Sequence, residues 1–237
     1  MEKAINLTEQ IDNCKCTYEY NKGALLKDFN TVVLGSYPQN DILGKKKEPI
    51  EWYVLEKRKE KGKALLISKY ILDCKEYQGK RCSSNSQKDE SEYLWWGNTS
   101  LRSFLNNEFY NLAFSKKEKE NIMKIEITYR QDRINTYDNV TCLSLSELDK
   151  YFDLWREDER IKENRVACKP TPYAVSKGLH VNESSGCSGY HYRLPLECFD
   201  IDGFQIWLYR FYNVGLECYE YYAHMFDGVR PVICVKY

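Results

Sequence analysis

Between Ile50 and Ser68 the chain carries its most restrictive pattern: Ile50, Trp52 and Val54 alternate with Glu51, Tyr53 and Leu55, and an apolar run, Ala64–Ser68, returns after Lys61-Gly62. Successive strand residues point to opposite faces, so a period of two marks a β-hairpin with one face against a core. A hairpin alone is marginal in water, so further elements must cover that face. The run "TVVLGSYPQN" (Thr31–Asn40) is β-branched and stopped by Gly and Pro, and supplies another strand; Lys45–Glu48 is the charged loop after it. Residues 1–28, polar and poor in apolar anchors, are expected to be a loosely attached leader, with one domain over 29–237.

The middle of the chain has helical periodicity. Residues 75–92 are turn-rich and expected to form a surface loop; then Leu101, Phe104, Leu105 and Phe109 fall at helical spacing, with Thr99 or Ser100 as N-cap. Ser115-Lys116-Lys117-Glu118 fits a capping box, in which hydroxyl and carboxylate bond each other's free amides. "KIEITYR" and "NVTCLSL" (Asn139–Leu145) read as strands, and "SELDKYFDLW" as a helix with Ser146 and Asp149 in capping positions. "PTPYAVSKG" is a short helix: Thr171 caps it, Pro172 opens it and Gly178 ends it. From Gly186 the texture is β-like. Asp202-Gly203 is expected to turn a hairpin, and "GVRPVICVKY" closes the chain as a strand. The fold class is therefore α+β, helices in the middle and strands at both ends.

Formal net charge is zero, which gives no whole-molecule attraction to nucleic acid or membrane. No lysine stands between Lys177 and Lys236, where Arg193, Arg210 and Arg230 face seven acids from Glu183 to Asp227. An acidic, tyrosine-rich end is a poor phosphate binder, so no nucleic-acid partner is expected. The first residues include acids and no apolar run, and no segment approaches the roughly 18 apolar residues of a membrane helix. A cytoplasmic chain without a membrane partner is the expectation. Its ten cysteines are then read as mostly reduced, buried, small hydrophobes. Cys14-Lys15-Cys16 has no second pair at zinc-finger spacing, and Cys74 and Cys82 are too isolated, so no metal or other cofactor is expected.

Candidate catalytic groups are thin. Asp200 and Asp202 share a strand face, but a turn asks for Asp-Gly in any case, and "DIDG" lacks the remaining calcium-loop ligands. Cys187 and His191 lie four apart in a Gly/Ser-rich loop without a nucleophile elbow, and Trp95-Trp96 reads as core. The tract "IWLYRFYNVGLECYEYYAHMF" (Ile206–Phe226) is different, with five tyrosines, one tryptophan, two phenylalanines and a histidine. Strand alternation buries about half of these rings, yet each buried phenol needs a partner. Tyrosines interleaved with Asn213, Glu217 and Glu220 have the composition of a paratope: stiff, amphipathic and cheap to order.

Several phrases together, "VVLGSYPQN", "PIEWYVLE", "ALLISKYILD", "SLRSFLNNEFYNLAFS", "CLSLSELDKYF", "PTPYAVSKG" and "GVRPVI", resemble a bacterial and phage family of domains of unknown function. Its motif order is G-x-Y-Q, I-x-W-x-V-L, L-L-I-S, L-R-x-W-L-N, F-L-L-S, W-L-R-S-P and G-V-R-P, and the likeness runs from about Thr31 to the end. That family resembles the C-type-lectin-like fold, in the branch shared with formylglycine-generating-type enzymes and the variable proteins of diversity-generating retroelements. The resemblance implies that the stretch between W-L-R-S-P and G-V-R-P, here about 190–226, displays ligand contacts whose side chains can be hypervariable. "YHYRLP" stands at the first motif, keeping Arg193 and Pro195 but with Tyr190 for the leading Trp and Leu194 for Ser; the second, Gly228–Pro231, is intact.

The implied scaffold residues are Arg193, Gly228, Arg230 and Pro231. The expected ligand contacts are Tyr192, Asp200, Trp207, Tyr209, Tyr212, Asn213, Glu217, Tyr219, Glu220, Tyr221, Tyr222 and His224, facing a protein or glycan. No catalytic residue is expected: the motif around a copper-binding cysteine pair is absent at Cys218 and Cys234, as are the calcium signatures of sugar-binding lectins. Two rivals stand beside this reading. One is a cysteine- or metal-dependent enzyme of formylglycine-generating type; the other is an oligomerisation module whose tyrosines self-associate.

Overall fold

The structure, a computed structural model, describes residues 7–14, 30–79, 95–128, 135–152, 168–183, 186–188, 190–193, 206–212, 215–221 and 226–237. Its centre is a five-stranded antiparallel sheet. The strands are β1 (Thr31–Tyr37), β2 (Glu48–Arg58), β3 (Lys63–Ser68), β5 (Ile122–Met123) and β11 (Val232–Lys236), in the order β1-β2-β3-β11-β5. Three two-stranded pairs accompany it: β4 (Asp73–Glu76) with β10 (Phe226–Val229), β6 (Ile125–Ile127) with β7 (Thr136–Asp138), and β8 (Ile206–Tyr212) with β9 (Gly215–Tyr221). Both helices and sheets are present, an α+β architecture.

The alternation of the hairpin survives as burial of Ile50, Trp52 and Val54. A bulge between Val54 and Glu56 then shifts the register against β3, and both faces of β2 become covered. Glu56 points to one helix and Lys57 to another. Helix α1 (Leu7–Asp12) docks through Lys57, whose buried ammonium donates to the carbonyls of Ile11 (2.6 Å), Asp12 (3.2 Å) and Cys14 (3.4 Å). These are the orphan carbonyls of a helix C-terminus, where a cation also meets the favourable end of the dipole. Gln10 pairs with edge strand β1, accepting from the Val33 amide at 2.7 Å and donating to its carbonyl. Part of the expected loose leader, residues 7–14, is thus attached to the sheet, with Ile11 in the core. Lys57→Met keeps the aliphatic stem and removes the donors. It is expected to accelerate amide exchange across residues 10–14, read by hydrogen-exchange mass spectrometry, while β2 and β3 keep their protection.

The helix over residues 100–113 is α2, made of α-turns Ser100–Phe104, a π-turn Leu105–Phe109 and α-turns Tyr110–Ala113. Its buried residues, Leu101, Leu105, Phe109 and Ala113, recur every fourth position. With about 3.6 residues per turn a row of fourth residues drifts around the axis, and the wider π-turn offsets that drift. Thr99 is the N-cap, accepting from the Arg102 amide. The expected box follows in α3 (Lys116–Lys119), where Ser115 and Glu118 bond each other's amides. Glu118 also accepts from Gly35 N–H at 2.9 Å, and Gly35 must be glycine: its φ is +72°, and a Cβ would lie 2.7 Å from the Phe114 ring.

Three expectations change. Of the expected strand 139–145, Leu145 already belongs to a helix and residues 139–144 make only isolated bridges, Thr141 to Val232 and Ser144 to Arg193; the Asn106 side chain takes the Asn139 amide (2.7 Å) and the Val140 carbonyl (2.9 Å) in place of a strand partner. Helix α4 (Leu145–Phe152) starts earlier than expected: Ser144 and Glu147 form its reciprocal cap, so Ser146 and Asp149 sit inside it. Part of the expected surface loop is structure, since β4 begins at Asp73 and Tyr77 and Gln78 are buried. Among the described residues β8 pairs with β9, and the expected Asp202-Gly203 hairpin lies outside the described residues. The short helix α5 (Pro172–Ser176) has its expected Thr171 cap.

Helix α4 is clamped to β2 through Glu56. Tyr151 O–H donates to Glu56 Oε2 at 2.6 Å and Lys150 Nζ at 3.1 Å, while Arg58 pairs with Oε1. Burial alone would raise this carboxyl, but the hydrogen bonds from Arg58, Tyr151 and Lys150 outweigh it and bring it from 4.5 to about 2. A depressed carboxyl stabilises the fold above its ordinary value and ceases to do so as pH falls from about 4.5 toward 2. Glu56→Gln is therefore expected to lower stability at pH 7 and to flatten the stability-against-pH curve in that window, measured by urea melts at stepped pH.

Candidate functional site

The segment expected to contact a ligand lies in sequence between two described stretches, Tyr190–Arg193 and Phe226–Pro231. Its two ends are bonded to each other and to the frame. Tyr190 bridges Gly228, and the His191 amide donates to the Gly228 carbonyl at 2.8 Å. The His191 ring meets the Lys75 carbonyl at 2.7 Å and lies against Tyr77. Arg193 donates from Nε to the Cys142 carbonyl at 2.7 Å and pairs through its guanidinium with Glu147, the capping carboxylate of α4.

On the returning side, β10 pairs with β4 and β11 with β3, so one ladder bends at Arg230-Pro231. Proline has no N–H, and the Pro231 carbonyl serves instead as acceptor for Ser68 (3.0 Å), while Leu72 donates to Val229 (2.9 Å). Arg230 fills the bend. It is 1% exposed, donates from Nε to Ser68 O (3.0 Å) and from Nη1 to Tyr190 Oη (3.1 Å), and lies against the rings of Tyr190 and Phe152. Burial outweighs the nearby guanidinium and pushes the Tyr190 phenol up to about 12, so it stays protonated. All four implied scaffold residues lie in this stem. Tyr190 and His191, which pin it, have no local sequence signal for that role, since their partners are far along the chain.

Between the ends stands the ribbon of β8 and β9, in the register Ile206–Tyr221, Trp207–Glu220, Leu208–Tyr219, Tyr209–Cys218, Arg210–Glu217, Phe211–Leu216 and Tyr212–Gly215. Opposite residues of an antiparallel pair share a face and neighbours alternate. Tyr212, Glu217, Tyr219 and Tyr221 therefore belong to one face of the ribbon, and Trp207, Tyr209 and Glu220 to the other. Tyr192 is 2% exposed and belongs to the core, which removes it from any displayed surface. Asp200, Asn213, Tyr222 and His224 lie outside the described residues.

The rival chemistry can be placed as well. Among the described residues, no three or more His, Cys, Asp and Glu side chains gather as ligands for a metal ion. Burial pushes the Cys142 thiol up to about 12 and raises Cys168 and Cys234 too, so each is a thiol at neutral pH and a weak nucleophile. Among the described residues Tyr37 donates to Asp73 at 2.5 Å; both are buried, and burial raises both. No helix of the described residues is long and apolar enough to cross a membrane.

The chain belongs to the family of domains of unknown function DUF6273, which matches residues 61–237. That range begins at the turn between β2 and β3, so β1 and β2 complete the central sheet from outside it. No curated protein and no solved structure matches the chain.

Proposed function

We propose that this chain is a non-enzymatic ligand-binding domain of C-type-lectin-like kind, which presents the excursion between Arg193 and Phe226 to a protein or glycan. The supporting observation is the closed stem. Tyr190–Arg193 and Gly228–Pro231 are bonded to each other and to β3, β4 and α4, so residues between them can change without loss of the frame. The ribbon has the composition of a contact surface: Trp207, Tyr209, Tyr212, Tyr219 and Tyr221 offer area, and Glu217 and Glu220 direction. Diversification of the kind made by retroelements is the natural use of such a division.

The test is a screen of the purified chain against a glycan array and a displayed peptide library. A saturable ligand is expected. Its affinity should fall at least about 30-fold in Tyr219→Ala/Tyr221→Ala or Trp207→Ala/Tyr209→Ala, the scale of interface hot spots, with unchanged melting. A ligand indifferent to both pairs overturns the proposal, as does a concentration-dependent mass that collapses with Tyr221→Ala. In the gene, a near-identical template repeat beside a reverse transcriptase, differing at adenines under codons 190–226, would establish diversification.

A further inference from the structure

The loop between β1 and β2 carries Ile42, 58% exposed, and Leu43, 71% exposed, while most other aliphatic residues among those described are buried. The tip is rigidly built. The Asp41 carboxylate accepts from the amides of Leu43 (3.1 Å), Lys45 (2.9 Å) and Lys46 (2.8 Å), and the Asp41 carbonyl accepts from Gly44 (2.9 Å). Gly44 has φ +70°, and a Cβ there would lie 2.9 Å from the Tyr173 ring, so the turn sits directly on α5. Ser176 Oγ donates to the Ile42 carbonyl, which sets Val175, 41% exposed, beside the tip.

Exposed lysines surround this point: Lys45, Lys46 and Lys47 from the loop and Lys177 from the end of α5. Lys177 lies over the Tyr173 ring, and Lys47 donates to the Leu112 carbonyl. The two carboxylates of the loop are engaged with its amides, Asp41 as above and Glu48 with Gln39 at 2.8 Å, and the buried Asp73 carboxylate is felt by Lys177 alone of the four lysines. The tip is thus exposed, aliphatic and basic, and the four N–H groups from Leu43 to Lys46 already have acceptors within the loop.

We infer that this tip seats on an anionic lipid surface, with Ile42 and Leu43 in the acyl boundary and the lysines among the headgroups. Charge complementarity selects an anionic partner. The N–H groups from Leu43 to Lys46 already have acceptors, which lowers the cost of carrying this turn into a medium without donors or acceptors. A protein partner would instead call for a broader, polar-rimmed patch with aromatic anchors. Such a contact needs no spanning helix, and one small apolar tip with a few lysines gives reversible binding only. It departs from the expectation of no membrane partner, and does not rest on the ligand-binding reading of the ribbon.

The experiment is co-sedimentation of the full chain with phosphatidylcholine vesicles containing about one third phosphatidylserine, against phosphatidylcholine alone. Binding only to the anionic vesicles, weakening as salt is raised, is expected. Ile42→Ser/Leu43→Ser and Lys45→Glu/Lys46→Glu should each reduce partitioning at least about 10-fold, from the lost apolar area and from roughly a fivefold effect per basic residue. Both pairs are exposed, so unchanged melting curves show that the variants remain folded. Absence of binding at low salt, binding indifferent to both variants, or tip-dependent binding to polyglutamate but not to vesicles overturns the inference.

Discussion

Asp138→Ala is expected to lower the unfolding free energy by about 2–4 kcal/mol, since it removes a buried acceptor of three hydrogen bonds whose charged partner, Arg102, is only partly buried. In a chain of this length that is a fall in melting temperature on the order of 10 °C. Asp138 is fully buried at the end of β7 and gathers three donors: Trp96 Nε1 at 2.6 Å, Arg102 Nε at 2.7 Å and Thr136 Oγ1 at 3.4 Å. Through them the start of α2, the tryptophan before it and the β6–β7 pair share one carboxylate. Alanine would leave the buried indole N–H without its acceptor and the guanidinium without its counter-charge. Asp138→Asn keeps one acceptor and should lose less than half as much, and a double change with Arg102→Met should recover part of the deficit, because it removes the stranded charge. Thermal and urea melts of the three variants decide it; equal losses for Ala and Asn would contradict the argument.

The second large effect is expected at Arg230. Arg230→Ala should cost about 3–5 kcal/mol, since it opens a cavity among Tyr190, Phe152 and Ser68 and strips two buried oxygens of their donor. Among the described residues no carboxylate pairs with this guanidinium, and its Nη2 is buried without a hydrogen-bond partner. A buried charge so placed stabilises less than its contacts imply. Arg230→Met, which fills most of the volume without the charge, should therefore be clearly milder than Ala. The two variants also report on the stem: loss of the Tyr190 contact should speed proteolysis within 194–225 before the sheet itself melts. Limited proteolysis beside a melting curve separates the two events. If cleavage follows global unfolding in both variants, Arg230 is a core residue with no particular hold on the excursion.

Local codes were legible because their physics is local. The period of two at Ile50–Val54, the Ser115–Glu118 box and the Thr171-Pro172 opening each involve groups within a turn of one another. Where local codes competed, a distant side chain decided. "NVTCLSL" has strand composition, yet Asn106 captures its backbone; Ser146 could cap a helix, but Glu147 reaches back to Ser144 and starts it sooner. Tyr192 has the aromatic character of a contact residue, and burial follows from what packs against it, which no neighbouring residue encodes.

By itself the sequence determined the α+β class, the hairpin that founds the sheet, the Thr99, Ser115 and Thr171 caps and the aromatic, lysine-free composition of the stretch before Gly228–Pro231. Each of these is a property of residue type and short spacing. Only the tertiary structure decided that β11 lies between β3 and β5, that Lys57 fastens an N-terminal helix, and that Tyr190–Arg193 closes on Gly228–Arg230 to form one stem. Those contacts join groups far apart in the chain, and their formation depends on loop closure and burial of the whole core rather than on any local preference.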